Sequence, residues 1–140
     1  MAIVTNRTLG DSASIASFEV INNGADAEAA TTIIDAANLI GAGDDDNQEV
    51  IVTRVVASVA TTDMGDPALV TLSWGDGTDF LHLGPGASDI KVAFRTPNPG
   101  GTPDNDVTVT SAANVVFTLR VFAKKRIGFP LSMGAAGNRP

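Results

Sequence analysis

His82 is the single histidine in a chain of 140 residues that contains neither cysteine nor tyrosine. Acid–base catalysis, a nucleophile–imidazole pair or an imidazole metal cluster would each have to be assembled around that one ring from partners distant in sequence. His82 alternates with Phe80 in a strand-like run, and a histidine accommodated at an edge or in the core explains it without chemistry. Carboxylates are more abundant. Asp44-Asp45-Asp46-Asn47 with Glu49 supplies oxygens for a hard cation, which prefers several ligands converging from one flexible loop. The spacing departs from the calcium-loop pattern, and successive side chains point apart unless the backbone folds back. The expectation is a solvated acidic loop, with cation binding by residues 44–49 left open. Asp76 and Asp79 in Gly75-Asp76-Gly77-Thr78-Asp79 share only composition with a calcium loop, since an Asp-Gly turn accounts for Asp76.

Sugar chemistry fares no better. Glycoside hydrolysis needs two carboxylates about 5–10 Å apart, and among sixteen acids some such pair is inevitable. Sugar-binding modules present aromatic platforms, whereas this chain has one tryptophan, Trp74, and six phenylalanines that mostly fit core positions. Trp74 is expected as a core or strand-end anchor. Gly41-Ala42-Gly43 and Gly84-Pro85-Gly86 lack the strand-to-helix setting and the lysine of a phosphate cradle. No catalytic, cofactor-binding or metal residue is assigned, and the protein is not expected to be an enzyme.

The net charge of −7 is unevenly placed, −9 over residues 1–70 and +2 over residues 71–140. An acidic chain whose one basic run is Lys124-Lys125-Arg126 is poorly suited to nucleic acid, which calls for a broad basic surface. That run is expected to end a strand in solvent or to meet an acidic partner. The amino-terminal residues show no secretory pattern, and no apolar stretch approaches the roughly 20 residues that cross a bilayer. Neither a membrane nor a nucleic acid is expected as a partner, and synthesis in a cytoplasm is. With 44% hydrophobic and 18% charged residues, the composition leans apolar, so part of that surface is expected to face another protein.

The elements that would position any site are strands. In Asn114–Lys124, Val115, Phe117, Leu119, Val121 and Ala123 share one face while Thr118, Arg120 and Lys124 share the other, the period of a half-buried strand. Similar runs are Ala13–Asn22, Ala29–Asp35, Glu49–Ala60, Ala68–Trp74, Thr78–Leu83, Ser88–Arg95 and Asp106–Ser111. Glu49–Ala60 is apolar on both faces, as expected of a central or subunit-contact strand. Asn22-Asn23-Gly24 reads as a turn, Ala36–Ile40 as short helical or irregular, and Thr96–Asn105 as a Pro/Gly-rich loop. Gly75-Asp76-Gly77 is the strongest hairpin signal, and Asp106–Ser111 with Asn114–Lys124 is expected to form the last hairpin. About eight strands in one domain, residues 1–140, predict an all-β antiparallel sandwich or jelly-roll-like fold. Extended arms are expected at residues 1–12 and 127–140; the second mixes Ile127, Phe129 and Leu131 with Gly and Pro, and reads equally as an arm laid on a neighbour or as a partly disordered tail.

One stretch carries a resemblance. Val70–Gly84, a strand ending in Trp74-Gly75-Asp76-Gly77-Thr78-Asp79 and followed by Phe80-Leu81-His82-Leu83-Gly84, resembles small proteins encoded near the head genes of tailed bacteriophages. The likeness continues through Pro97-Asn98-Pro99-Gly100-Gly101 to a final strand ending in lysines, Asn114–Lys125, and covers roughly residues 50–125. The resemblance implies a virion component, a decoration or cement protein that binds the major capsid protein on the outside of an assembled head. It also implies a homo-oligomer, trimer or dimer. Such a protein stabilises the expanded shell by binding it better than free subunits. The arms would then reach capsid or neighbouring subunits, through Ile3 and Val4 at one end and Ile127, Phe129 and Leu131 at the other. A phage tail or fibre adaptor and a carbohydrate-binding module are the alternatives.

Overall fold

In the computed structural model, which describes residues 3–12, 14–39, 42, 49–63, 68–91, 93–95 and 106–125, the two-residue alternation has become ten antiparallel strands in two sheets. They are β1 (Ile3–Asp11), β2 (Ile15–Asn22), β3 (Glu28–Ile34), β4 (Val50–Thr61), β5 (Val70–Trp74), β6 (Asp79–Leu83), β7 (Gly86–Ile90), β8 (Phe94–Arg95), β9 (Val107–Ser111) and β10 (Val115–Lys125). The larger sheet runs β1-β2-β10-β4-β7, with β8 also pairing β4; the smaller runs β3-β9-β5-β6. Ala36–Asn38 forms a single 3-10 turn after β3.

Alternation decides which side chains meet between the layers. Ala16, Phe18 and Val20 of β2 and Val115, Phe117, Leu119, Val121 and Ala123 of β10 are buried, as are Val70, Leu72 and Trp74 of β5 and Val107 and Val109 of β9. They join one hydrophobic core shared by both sheets, which is the physical content of a sandwich. Trp74 is 1% exposed. Its ring lies 4.7 Å from that of Phe80, which lies 5.0 Å from that of Phe94. This aromatic run connects the smaller sheet to β8 of the larger one.

Two bulges alter the simple pattern. Opposite β10, Arg54 pairs with Phe122 but Val52 pairs with Ala123, so Thr53 is an extra residue and the inward phase of β4 changes there. Val50 and Val52 point inward before it; Val55, Ala57 and Val59 do so after it, and Thr53 is exposed. The apolar character of both faces of Glu49–Ala60 thus comes largely from this change of phase. In β6 the register passes from Leu72–Leu81 to Ser73–Asp79, which makes Phe80 the extra residue. Phe80 therefore packs on Trp74 while His82 faces outward, and the two do not share a face as their spacing suggested.

Three connections differ from expectation. Residues 3–11, expected within an arm, pair with β2 as an edge strand with two register shifts. Ser88–Arg95 is two short strands, both on β4. The expected last hairpin is not formed: β9 belongs to the smaller sheet and β10 to the larger, so the chain crosses the core between Ser111 and Val115. That crossing is held by Asn114, whose φ is +67°; its N–H donates to Gly24 O at 3.0 Å and its carbonyl accepts from Thr62 N–H at 2.8 Å. Gly24 lies at φ +79°, where a Cβ would meet Val116 at 3.0 Å, so glycine is required there. The hairpin at Gly75-Asp76-Gly77 is present, with Gly77 N–H donating to Trp74 O at 2.9 Å.

Candidate interaction face

The outward positions of the larger sheet bring charged and apolar side chains together. Register places Glu19 of β2 between Arg7 of β1 and Arg120 of β10. Arg7 Nε and Nη2 donate to Glu19 Oε1 at 3.0 and 2.7 Å, and Arg120 Nε donates to Oε2 at 3.2 Å. Glu19 is 5% exposed, while both arginine side chains are more than half exposed. Removal from water pushes the Glu19 carboxyl up, but the hydrogen bonds and charges of Arg7 and Arg120 outweigh this and hold it below its ordinary value.

A second pair lies across β4 and β7. Arg54 donates from Nε and Nη2 to Asp89 Oδ1 and Oδ2 at 2.9 and 2.8 Å, the two-pronged geometry that guanidinium favours. These bonds lower the Asp89 carboxyl against the opposing effect of burial, and the charges of Arg54 and Lys91 add to the lowering. The Arg54 guanidinium also sits 5.6 Å from the centre of the Phe122 ring.

Beside Phe122 the surface opens into a groove of about 460 Å³, lined by Gly10, Ser12, Ile15, Ser17, Thr53 and Phe122 among others. Small side chains at Gly10, Ser17 and Thr53 leave the space, and the β4 bulge sets Thr53 beside it. Ile15 is 60% exposed, and Leu9 in the same β1–β2 hairpin is 42% exposed. At the end of the groove Lys125 is turned inward, its side chain fully buried, and Nζ donates to Asp11 Oδ1 and Ser12 O. The basic run expected in solvent therefore contributes an internal clamp between the ends of β1 and β10. Lys124 is exposed, and Arg126 lies outside the described residues.

The outer face of the smaller sheet is built from hydroxyls. A cleft of about 300 Å³ is lined by Thr32, Ser73, Asp79, Asp106, Thr108 and Thr110 among others. Ser73 Oγ donates to Asp79 at 2.6 Å, Thr110 Oγ1 accepts from Ala30 N–H at 3.1 Å, and Asp106 Oδ1 accepts from Ala36 N–H at 2.9 Å. Burial pushes the Asp106 carboxyl up; the Ala36 N–H works against it, and the charge of Asp35 adds to the rise.

The residues singled out for chemistry are scattered. His82 is exposed on the edge strand β6, its Nδ1 3.1 Å from Thr71 Oγ1. Asp76 accepts from Thr78 N–H at 2.8 Å, as a turn residue does. Glu49 is buried at the start of β4 and so is not part of a solvated loop, while Asp44–Asn47 lie outside the described residues. Among the described residues no group of three or more His, Cys, Asp or Glu is placed to hold a metal ion. None of their helices is long and apolar enough to cross a membrane. Trp74 is inside and offers no platform. Ile3 and Val4 lie in the backbone of β1, with Ile3 opposite Asn22; Ile127, Phe129 and Leu131 lie outside the described residues, as does the loop at 96–105.

The Arg7–Glu19–Arg120 group and the Lys125–Asp11 clamp were not anticipated. The first depends on register, which a single strand does not reveal. The second had a signal: position 125 continues the inward phase of Val115, Phe117, Leu119, Val121 and Ala123. The chain matches no family model, and it finds no match among curated proteins or among solved structures.

Proposed function

We propose that this chain is a structural virion protein of a tailed bacteriophage, a decoration or cement protein bound to the major capsid protein on the outside of the head and assembled as a homo-oligomer. The observation that carries the reading is the outer face of the larger sheet, where an apolar groove and the exposed Ile15 and Leu9 lie beside arginine–carboxylate pairs. Apolar surface flanked by charge suits a protein contact. The order of elements through Val70–Gly84 and Asn114–Lys125 supports the phage assignment. Stabilisation follows from mass action, because a ligand that prefers the expanded shell raises the free energy needed to disrupt it. No covalent step is involved.

A phage tail or fibre adaptor would use the same face against a different partner. The burial of Trp74 weighs against sugar binding through an aromatic platform. The test is to add the purified protein to expanded, undecorated shells of the source virus and to measure bound mass and the temperature at which the shells open. Saturable binding with a raised opening temperature is expected. No binding to shells, together with capture on tails, would replace this reading with the adaptor.

A further inference from the structure

We propose that the groove beside Phe122 receives the C-terminal segment Ile127–Met133 of a second copy of this chain. This deepens the oligomeric part of the proposed function and does not depend on shell binding. The groove is apolar and is lined by Ile15 and Phe122, with a floor of small side chains. It lies where the chain leaves the sandwich, since Phe122 and Ala123 border it and the last strand ends at Lys125.

Direction selects the occupant. β10 runs past Phe122 and Ala123 before it reaches Lys125, so the chain heads away from the groove it has just bordered. Lys125 is fixed at that point: its N–H donates to Ser14 O at 2.8 Å and its ammonium is held by Asp11 and Ser12. A segment that continued the direction of β10 would leave its own groove behind, so the occupant is assigned to a second copy. The sequence beyond supplies matching side chains, because Ile127, Phe129, Leu131 and Met133 occupy every second position. In an extended segment these would share one face at about 6.6 Å intervals. Exchange of such arms around a closed ring produces a dimer or trimer without loose ends.

The chain has no cysteine, so introduced cysteines report without interference. The experiment uses the full-length protein: light scattering of the wild type, of Phe129→Asp and of Ile15→Asp, with circular dichroism to verify the sheets. Oxidation of the double variant Ser17→Cys/Phe129→Cys is then followed on a non-reducing gel. The expected results are a wild-type mass that is a whole multiple of the chain, a fall to the chain mass in both aspartate variants, and disulfides that join different chains. A monomeric wild type, an oligomer unaffected by both aspartates, or a disulfide closed within one chain would each overturn the proposal. A protein that exchanges arms yet ignores shells keeps this inference and loses the decoration role; one that binds shells as a monomer does the reverse.

Discussion

The two outer faces of this sandwich are made from the same alternating pattern but treat polarity differently. On the smaller sheet the polar groups are satisfied locally: Ser73 with Asp79, Thr110 with the Ala30 N–H and Asp106 with the Ala36 N–H. On the larger sheet the arginines pair with acids across strands, and the same face leaves Ile15, Leu9 and the groove beside Phe122 exposed. A face whose donors and acceptors are already matched gains little from a partner, whereas one that leaves apolar area in water gains by covering it. Under the proposed function the larger sheet is the side that would meet other proteins, although Leu69, next to β5 of the smaller sheet, is also 45% exposed.

The comparison can be broken most severely at the ties behind each face. Trp74→Ala removes the most buried member of the aromatic run under the smaller sheet and is expected to cost about 4 kcal/mol in denaturant unfolding. Lys125→Ala leaves Asp11 without its buried ammonium, with an expected loss of about 3 kcal/mol. Lys125→Met keeps the stem packed and should lose less. If Lys125→Ala unfolds at the same denaturant concentration as the wild type, the clamp holds nothing.

Two carboxyls on opposite faces sharpen the contrast through pH. Glu19 has a folded-state pKa below its unfolded value, so its contribution is present above the unfolded pKa and fades as pH falls through the folded one. Glu19→Gln should therefore lower the melting temperature at pH 7 and make the acid limb shallower. Asp106 has the opposite sign. Its pKa is raised in the fold, so its charged form opposes folding above that value and the opposition disappears at lower pH. Asp106→Asn keeps an oxygen to accept from Ala36 N–H, and is expected to raise the melting temperature at pH 7 by a few degrees at most, with the gain vanishing on acidification. Thr71→Val, on the exposed side of β5, should change stability by no more than about 0.5 kcal/mol and leave shell binding unchanged.

Much of this was legible in the residues. The inward phases of β2, β5, β9 and β10 follow from their apolar alternation, and the sandwich follows from many short strands joined by turns. What escaped detection depended on neighbours. β1 carries Asn6, Arg7 and Thr8 in the open and has two register shifts, so it shows little binary pattern and is recognisable only through its pairing with β2. The crossing at Asn114 resembled a hairpin because a short link such as Ala112-Ala113-Asn114 serves both a turn within a sheet and a passage between sheets. The bulge at Thr53 reads as an apolar strand on both faces, since a phase change is invisible without a partner's register. The Lys125 clamp was hidden for a different reason: a lysine next to two other basic residues suggests solvent, while its phase along the strand points to the interior.

The most direct test of the assignment of faces is cysteine labelling at one position on each, made possible by a cysteine-free chain. Ser17→Cys reports on the groove of the larger sheet and Thr71→Cys on the hydroxyl face of the smaller one, each labelled with a maleimide in the dilute protein, in the concentrated protein and on shells. Slowed labelling at position 17 in the concentrated or shell-bound state, with no change at position 71, is the predicted result. Protection at position 71, or equal rates at both positions in every state, would contradict it.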